Sequence, residues 1–148
     1  IESGTGGRIA VAFTSVPGAS RHLKQVLVPY SREVQRELLG PEVKSHSTVS
    51  PGRAEALARE FQARTGSDWV LAETGMAGPL SPERHSRKNG LCHITLARKP
   101  KVKKEVKVCS MKIECNPFFS KKEHQLIFAV RALKWFLEKL LISLESKK

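Results

Sequence analysis

The chain has 148 residues, 40% of them hydrophobic and 27% charged, a balance that suits one globular domain spanning 1–148 with a core of its own. No apolar run approaches the roughly 20 residues that cross a bilayer, and no secretory pattern opens the chain, so a membrane role is excluded and a cytoplasmic protein is expected, an organelle remaining open. The net charge is +12, and 14 of the 26 Lys and Arg but only 5 of the 14 Asp and Glu fall in residues 98–148, so the basic excess belongs to the end of the domain.

Ile1-Glu2-Ser3-Gly4-Thr5-Gly6-Gly7 leads into an apolar stretch, Arg8 to Phe13. Thr5 reads as an N-cap and Gly6 to about Ser15 as a helix, stopped by Pro17-Gly18. The free N–H groups of such a helix start suit a phosphate or carboxylate. Gln25 to Tyr30 is short and β-branched and reads as a strand, with Pro29 at its end or on an edge. Ser31 then caps a helix with Val34, Leu38 and Leu39 on one face, ended by Gly40-Pro41. After a linker from His46 to Ser50, Pro51 to Thr65 is the clearest helix of the first half. It has Ser50 as cap, proline at its first position, Ala54, Leu57, Ala58 and Phe61 at helical spacing, and Gly66 at the stop.

Trp69 to Ala72 is a buried-strand run that exits into a turn-rich stretch, Thr74-Gly75-Met76-Ala77-Gly78-Pro79. Its glycines permit unusual backbone angles and close approach of a ligand to the main chain. A plain turn accounts for the same residues. Leu80 to Asn89 is a polar loop. Leu91 to Ala97 and Glu105 to Glu114 read as two strands of a hairpin joined by a basic connector, the second with one wet face. Asn116-Pro117 breaks it. Ser120 to about Ser146 is a long amphipathic helix with Leu126, Val130, Leu133, Leu137, Leu140, Leu141 and Leu144 on one stripe, expected to face the core, an exposed coiled-coil seam being the alternative. The alternation of strand and helix indicates an α/β layered domain. Cys92, Cys109 and Cys115 are an odd number without metal-ligand spacing and read as reduced, structural thiols. The five histidines form no ligand set either, so no metal is expected.

Glu2-Ser3-Gly4-Thr5-Gly6-Gly7, Val16-Pro17-Gly18-Ala19-Ser20, Tyr30-Ser31, Leu39-Gly40, Val49-Ser50 and Thr74-Gly75-Met76-Ala77-Gly78-Pro79, in this order and spacing, resemble the C-terminal domain of the CinA (competence/damage-inducible) family. That domain also occurs alone as PncC, the nicotinamide mononucleotide deamidase. The resemblance is good over residues 1 to about 97 and continues only in element order beyond. It implies a three-layer α/β/α domain with a mixed β-sheet. It also implies an amide hydrolase of a small nucleotide, with no metal or organic cofactor. The family domain starts about two dozen residues earlier, with a helix and a strand, whose absence would leave an unpaired gap in the sheet.

Hydrolysing a carboxamide needs a nucleophile, a proton carrier and a site for the oxyanion. Ser3, Thr5 and Tyr30 are the catalytic candidates, and Gly6, Gly7, Ser20, Gly75, Ala77 and Gly78 the substrate-binding ones. Ser3 and Thr5 also suit simple helix caps, and Tyr30 a strand-end aromatic. The departures from the family pattern bear on activity. Gly4 stands where the family has Cys, and Gln35 where it has a catalytic Lys. A neutral amide neither deprotonates a hydroxyl nor supplies charge. The third loop is rebuilt over 81–90, and Lys121 and Lys122 are the cations nearest the family's Gly-x-Arg. Three functions follow: an active or weakly active nucleotide amide hydrolase, an inactive relative that keeps a nucleotide or phosphate pocket, or a basic module that meets nucleic acid or another polyanion through residues 98–122. The last lacks the interleaved aromatics on which single strands stack. Homo-oligomerisation stays open. The nucleotide reading requires Thr5 and Gly75 to face each other.

Overall fold

The computed structural model describes residues 1–38, 40, 46–78, 88–100 and 105–145, without the side chains of 32, 36 and 38. Leu39, Pro41, Pro79, the 80–87 part of the polar loop with His85, Lys101, Lys103, Lys104 and Ser146 lie outside the described residues. Three strands, β1 (Trp69–Met76), β2 (Leu91–Arg98) and β3 (Lys107–Glu114), form an antiparallel sheet in the order β1-β2-β3. The helices are α1 (Arg8–Thr14), α2 (Arg32–Leu38), α3 (Pro51–Thr65) and α4 (Lys121–Glu145), with a 3-10 turn at Ala19–Arg21.

The period-two alternation of the strands sets the layers. Val70, Ala72 and Ala97 point to one face and pack against Ala58, Leu57 and Phe61 of α3. Cys92, Ile94 and Ile113 point to the other and meet Ile9 of α1 and Phe128, Ala129 and Ala132 of α4. The result is the expected α/β/α layering around two apolar clusters. The ladder of the described strands is wholly antiparallel. Beyond that ladder, Ile1 N donates to Leu71 O (2.9 Å) and Glu73 N to Ile1 O (3.0 Å).

Helix α3 matches its local signals. Ser50 Oγ accepts Arg53 N–H at 3.2 Å, Pro51 opens the helix, and Gly66 closes it at φ 58°. The hairpin also forms as read. Ser31 Oγ accepts Val34 N–H (3.1 Å) and so caps α2.

Four expectations are corrected. Helix α1 is capped not by Thr5 but by Gly7, with a left-handed backbone at φ 92° and no side-chain cap of its own. Residues 25–30 form no strand; their link towards the sheet is Glu2 N to Leu27 O (3.0 Å). Strand β1 continues through Thr74, Gly75 and Met76, so these are sheet rather than turn, and neither Gly75 nor Gly78 has a positive φ. Most of the leucine stripe of α4 is not core, Leu133 alone among its members packing against the second cluster. His124, Gln125, Phe128, Ala129, Ala132 and Ser143 are buried, whereas Leu126, Val130, Leu137, Leu141 and Leu144 are each more than half exposed. Periodicity gives α4 two apolar faces, and the smaller residues let the sheet approach the other one.

Beside Ile1 lies a largely apolar hollow of about 950 Å³, lined by Ile9, Phe13, Trp69, Leu71, Leu133 and Phe136 among others. The Phe136 ring stands edge-on to both Phe13 (5.7 Å) and Trp69 (6.0 Å).

Candidate functional site

The two glycine-bearing corners meet. A Cβ on Gly4 would lie 2.9 Å from Gly75 Cα and N, and 2.9 Å from Glu73 Oε2. This contact explains why Gly4 is glycine: any side chain would enter the Glu73 carboxyl and the β1 backbone. Gly75 is held equally close on its other side, 3.1 Å from Cys92 Cβ by the same measure, and Gly78 is 3.0 Å from Lys121 Cβ. Glycine here permits close approach, not an unusual φ.

Above the junction opens a cavity of about 290 Å³. Ser3, Gly4, Tyr30, Gln35, Thr48 and Thr74 line one part of it, and Gly75 to Gly78 with Lys121 the rest. Ser3, Tyr30, Gly75, Ala77 and Gly78 are thus brought together. Gly6, Gly7, Thr5 and Ser20 are not among the lining residues.

Thr5 is fully buried, and its hydroxyl is wedged between two buried carboxyls. Oγ1 donates to Glu2 Oε2 and sits 3.0 Å from Glu73 Oε1. Glu73 also accepts from Ser3 N (2.6 Å), Thr5 N (2.9 Å) and Cys92 Sγ (3.3 Å). Glu2 accepts from Gly7 N (3.1 Å), Ile9 N (3.2 Å) and Ala10 N (2.7 Å). The start of α1 is therefore filled by the chain's own carboxylate. This corrects the expectation that Gly7 offers its N–H to a ligand phosphate, and it makes Thr5 a holder of the Ser3 corner. One hydroxyl has one proton, so Thr5 donates to only one of the two carboxyls at a time. Burial pushes the Glu73 carboxyl above its ordinary range, against the pull of its donors, and pushes the Cys92 thiol well up, helped by the nearby Glu73 charge.

Gln35, on α2, is buried with both ends of its amide engaged: Nε2 donates to Pro29 O (2.8 Å) and Oε1 accepts from Arg53 Nη2 (2.6 Å). Thr74 Oγ1 is spent on Thr48 O (2.5 Å). Lys121 opens α4, with Ser120 and Glu123 forming a reciprocal cap (Ser120 N to Glu123 Oε2 2.7 Å; Glu123 N to Ser120 Oγ 3.3 Å), and its ammonium lies 5.4 Å from the centre of the exposed Tyr30 ring. His124, one helical step behind the cavity, contacts Ala77 O and Asn116 O at 2.8 Å each and ties the 77–78 wall to α4. Ser20 is exposed on the 3-10 turn. On the basic hairpin, Lys107 and Lys112 are exposed and Lys112 pairs with Glu114 (2.5 Å). Among the described residues no group of His, Cys, Asp and Glu could hold a metal, and no helix is long and apolar enough to cross a membrane.

Sequence reasoning missed Glu73, Thr48, Thr74 and Arg53. Only Thr74, inside the glycine-bearing exit of β1, carried a local signal.

The model of the CinA C-terminal domain matches residues 1–140. This chain belongs to the CinA C-terminal domain family. It is 41% identical over 99 residues to a CinA-like protein of Gloeobacter violaceus, covering 65% of this chain and 23% of that protein. It is 46% identical over 81 residues to a CinA-like protein of Synechococcus sp. strain CC9311, covering 53% of this chain and 19% of that one. The chain thus spans less than a quarter of the length of these curated relatives. Among solved structures it resembles the competence/damage inducible protein CihA of Agrobacterium tumefaciens (TM-score 0.75, 27% identity, 93% of this chain and 81% of that one). A CinA superfamily protein of Enterobacter cloacae shares the fold (TM-score 0.78, 20% identity, 94% and 79%).

Proposed function

We propose that this domain is a nucleotide amide hydrolase of the nicotinamide mononucleotide deamidase type whose chemical step is impaired. The net reaction is R–CONH2 + H2O → R–COO⁻ + NH4⁺. The observation that carries the reading is the convergence of Ser3, Tyr30, the Gly75–Gly78 wall and Lys121 on one cavity of about 290 Å³, at the lower end of the roughly 300–1,000 Å³ of ligand pockets. Ser3 would attack the carboxamide carbon, its main chain fixed by the Glu73 carboxyl. Lys121 is the cation placed to meet a phosphate, and the 75–78 backbone runs close to where a base would lie.

The impairment has a physical source. A serine attacks only when a neighbour takes its proton. Among the described lining residues no carboxylate or imidazole can do so, and Gln35 is a neutral amide whose two ends are engaged. The same observation supports a second reading, a relative that binds nucleotide without turnover. Incubation of purified protein with nicotinamide mononucleotide and assay of ammonia separates the two. Slow release abolished by Ser3→Ala supports the hydrolase; release no greater than that of Ser3→Ala refutes it.

A further inference from the structure

We propose that Gln35, held by Arg53, makes the cavity a carboxylate receptor, so that the protein prefers a pyridine mononucleotide carrying a carboxylate to one carrying a carboxamide. This rests on the nucleotide reading of the cavity given above. Gln35 lines the cavity and is 3% exposed. Chemistry fixes which end of its amide is which. A guanidinium only donates, so the atom 2.6 Å from Arg53 Nη2 is the oxygen; a proline carbonyl only accepts, so the atom 2.8 Å from Pro29 O is the nitrogen. Arg53 is 5% exposed and stands in the first turn of α3, next to the Ser50 cap, so the clamp is built on a rigid element. A glutamine held at both ends cannot flip. It keeps one N–H, while its oxygen already carries the guanidinium.

The other side-chain groups facing the cavity follow the same pattern. Lys121 only donates. Ser3, Tyr30 and Thr48 hydroxyls turn to suit, Thr74 is spent on Thr48 O, and no carboxylate is among the described lining residues. A ligand carboxylate accepts from the Gln35 N–H and from these hydroxyls through its two oxygens, while Lys121 is kept for the phosphate. A carboxamide brings two donors of its own to a wall whose side-chain oxygens are hydroxyls and amide, with no carboxylate among the described lining residues. Charge-assisted hydrogen bonds are about twice as strong as neutral ones, so the carboxylate should be favoured by about tenfold or more. Gln35 is then a residue that touches the ligand, and Arg53 a positioning residue that acts through it.

The test is calorimetric titration of the purified protein with nicotinate mononucleotide and with nicotinamide mononucleotide. The expected result is a Kd at least about tenfold lower for the acid. Gln35→Met, which keeps the shape and removes the donor, should bring the two Kd values together. Gln35→Glu, whose carboxylate still pairs with Arg53 but no longer donates to Pro29 O, should reverse the preference. Arg53→Met should weaken acid binding while sparing the amide, a change in the ratio of Kd values that mere loosening of the fold would not produce. Equal binding of both nucleotides, tighter binding of the amide, or a ratio unmoved by both Gln35 variants overturns the inference and leaves the nucleotide pocket standing. Binding of neither at millimolar concentration overturns the pocket and the inference together.

Discussion

Replacing Glu73 by glutamine isolates the buried carboxyl beneath the Ser3 corner. The amide oxygen can still accept from Ser3 N and Thr5 N, now 2.6 and 2.9 Å from Oε1, but the group no longer titrates. At low pH the variant is expected to be less stable by about 1–3 kcal/mol, because its NH2 faces Cys92 Sγ and the Gly4 main chain with no strong acceptor. The pH dependence has the opposite sense. Burial raises the Glu73 carboxyl above its ordinary 4.5, so the folded protein holds that proton more tightly than the unfolded chain. The stabilisation is complete below about pH 4.5 and is lost as pH climbs through the folded value. One proton sets the steepest slope at about 1.4 kcal/mol per pH unit. Urea unfolding followed by circular dichroism at pH 5, 6, 7 and 8 should therefore show Glu73→Gln gaining on the parent as pH rises. If the variant instead falls further behind with each step, Glu73 is a stabilised anion and the account of its carboxyl as raised by burial is wrong.

Gly4→Ala should cost about 1–3 kcal/mol by overpacking, since its Cβ would meet Glu73 Oε2 and Gly75 at 2.9 Å; thermal unfolding reads this directly. Ser50→Ala removes the hydroxyl that accepts Arg53 N–H and should cost about 1 kcal/mol in a urea titration, while Ser50→Gly costs only a few tenths. Phe128→Ala, at a side chain with no exposed surface between α4 and the sheet, should cost about 3–5 kcal/mol, whereas Leu137→Ala on the exposed face should stay within about 0.5 kcal/mol. A large loss at Leu137 would mean that its face is covered in solution.

What the sequence makes legible is local. Helix α3 announces itself through Ser50, Pro51 and Gly66, each acting within a turn of its neighbours, and the β2–β3 hairpin through alternation. Residues 25–30 have strand composition but no strand, because a ladder needs a partner, and pairing belongs to the whole fold. Gly75 reads as turn punctuation since composition cannot tell a glycine chosen for its angles from one chosen for its lack of bulk. The periodicity of α4 marks two apolar faces and does not say which one the sheet selects. At the site, the ordered motifs placed Ser3, Tyr30 and Gly75 to Gly78 around one cavity, but Glu73 and Arg53 gave no sign. An acidic residue in a strand and a basic one in a helix's first turn both read as solvent-facing. Their burial is decided by groups 68 and 18 residues away.

The hydroxyl of Thr5 couples positions 2, 5 and 73, so a change at any one of them alters the hydrogen bonding of the other two. Double-mutant cycles across the three should be strongly non-additive.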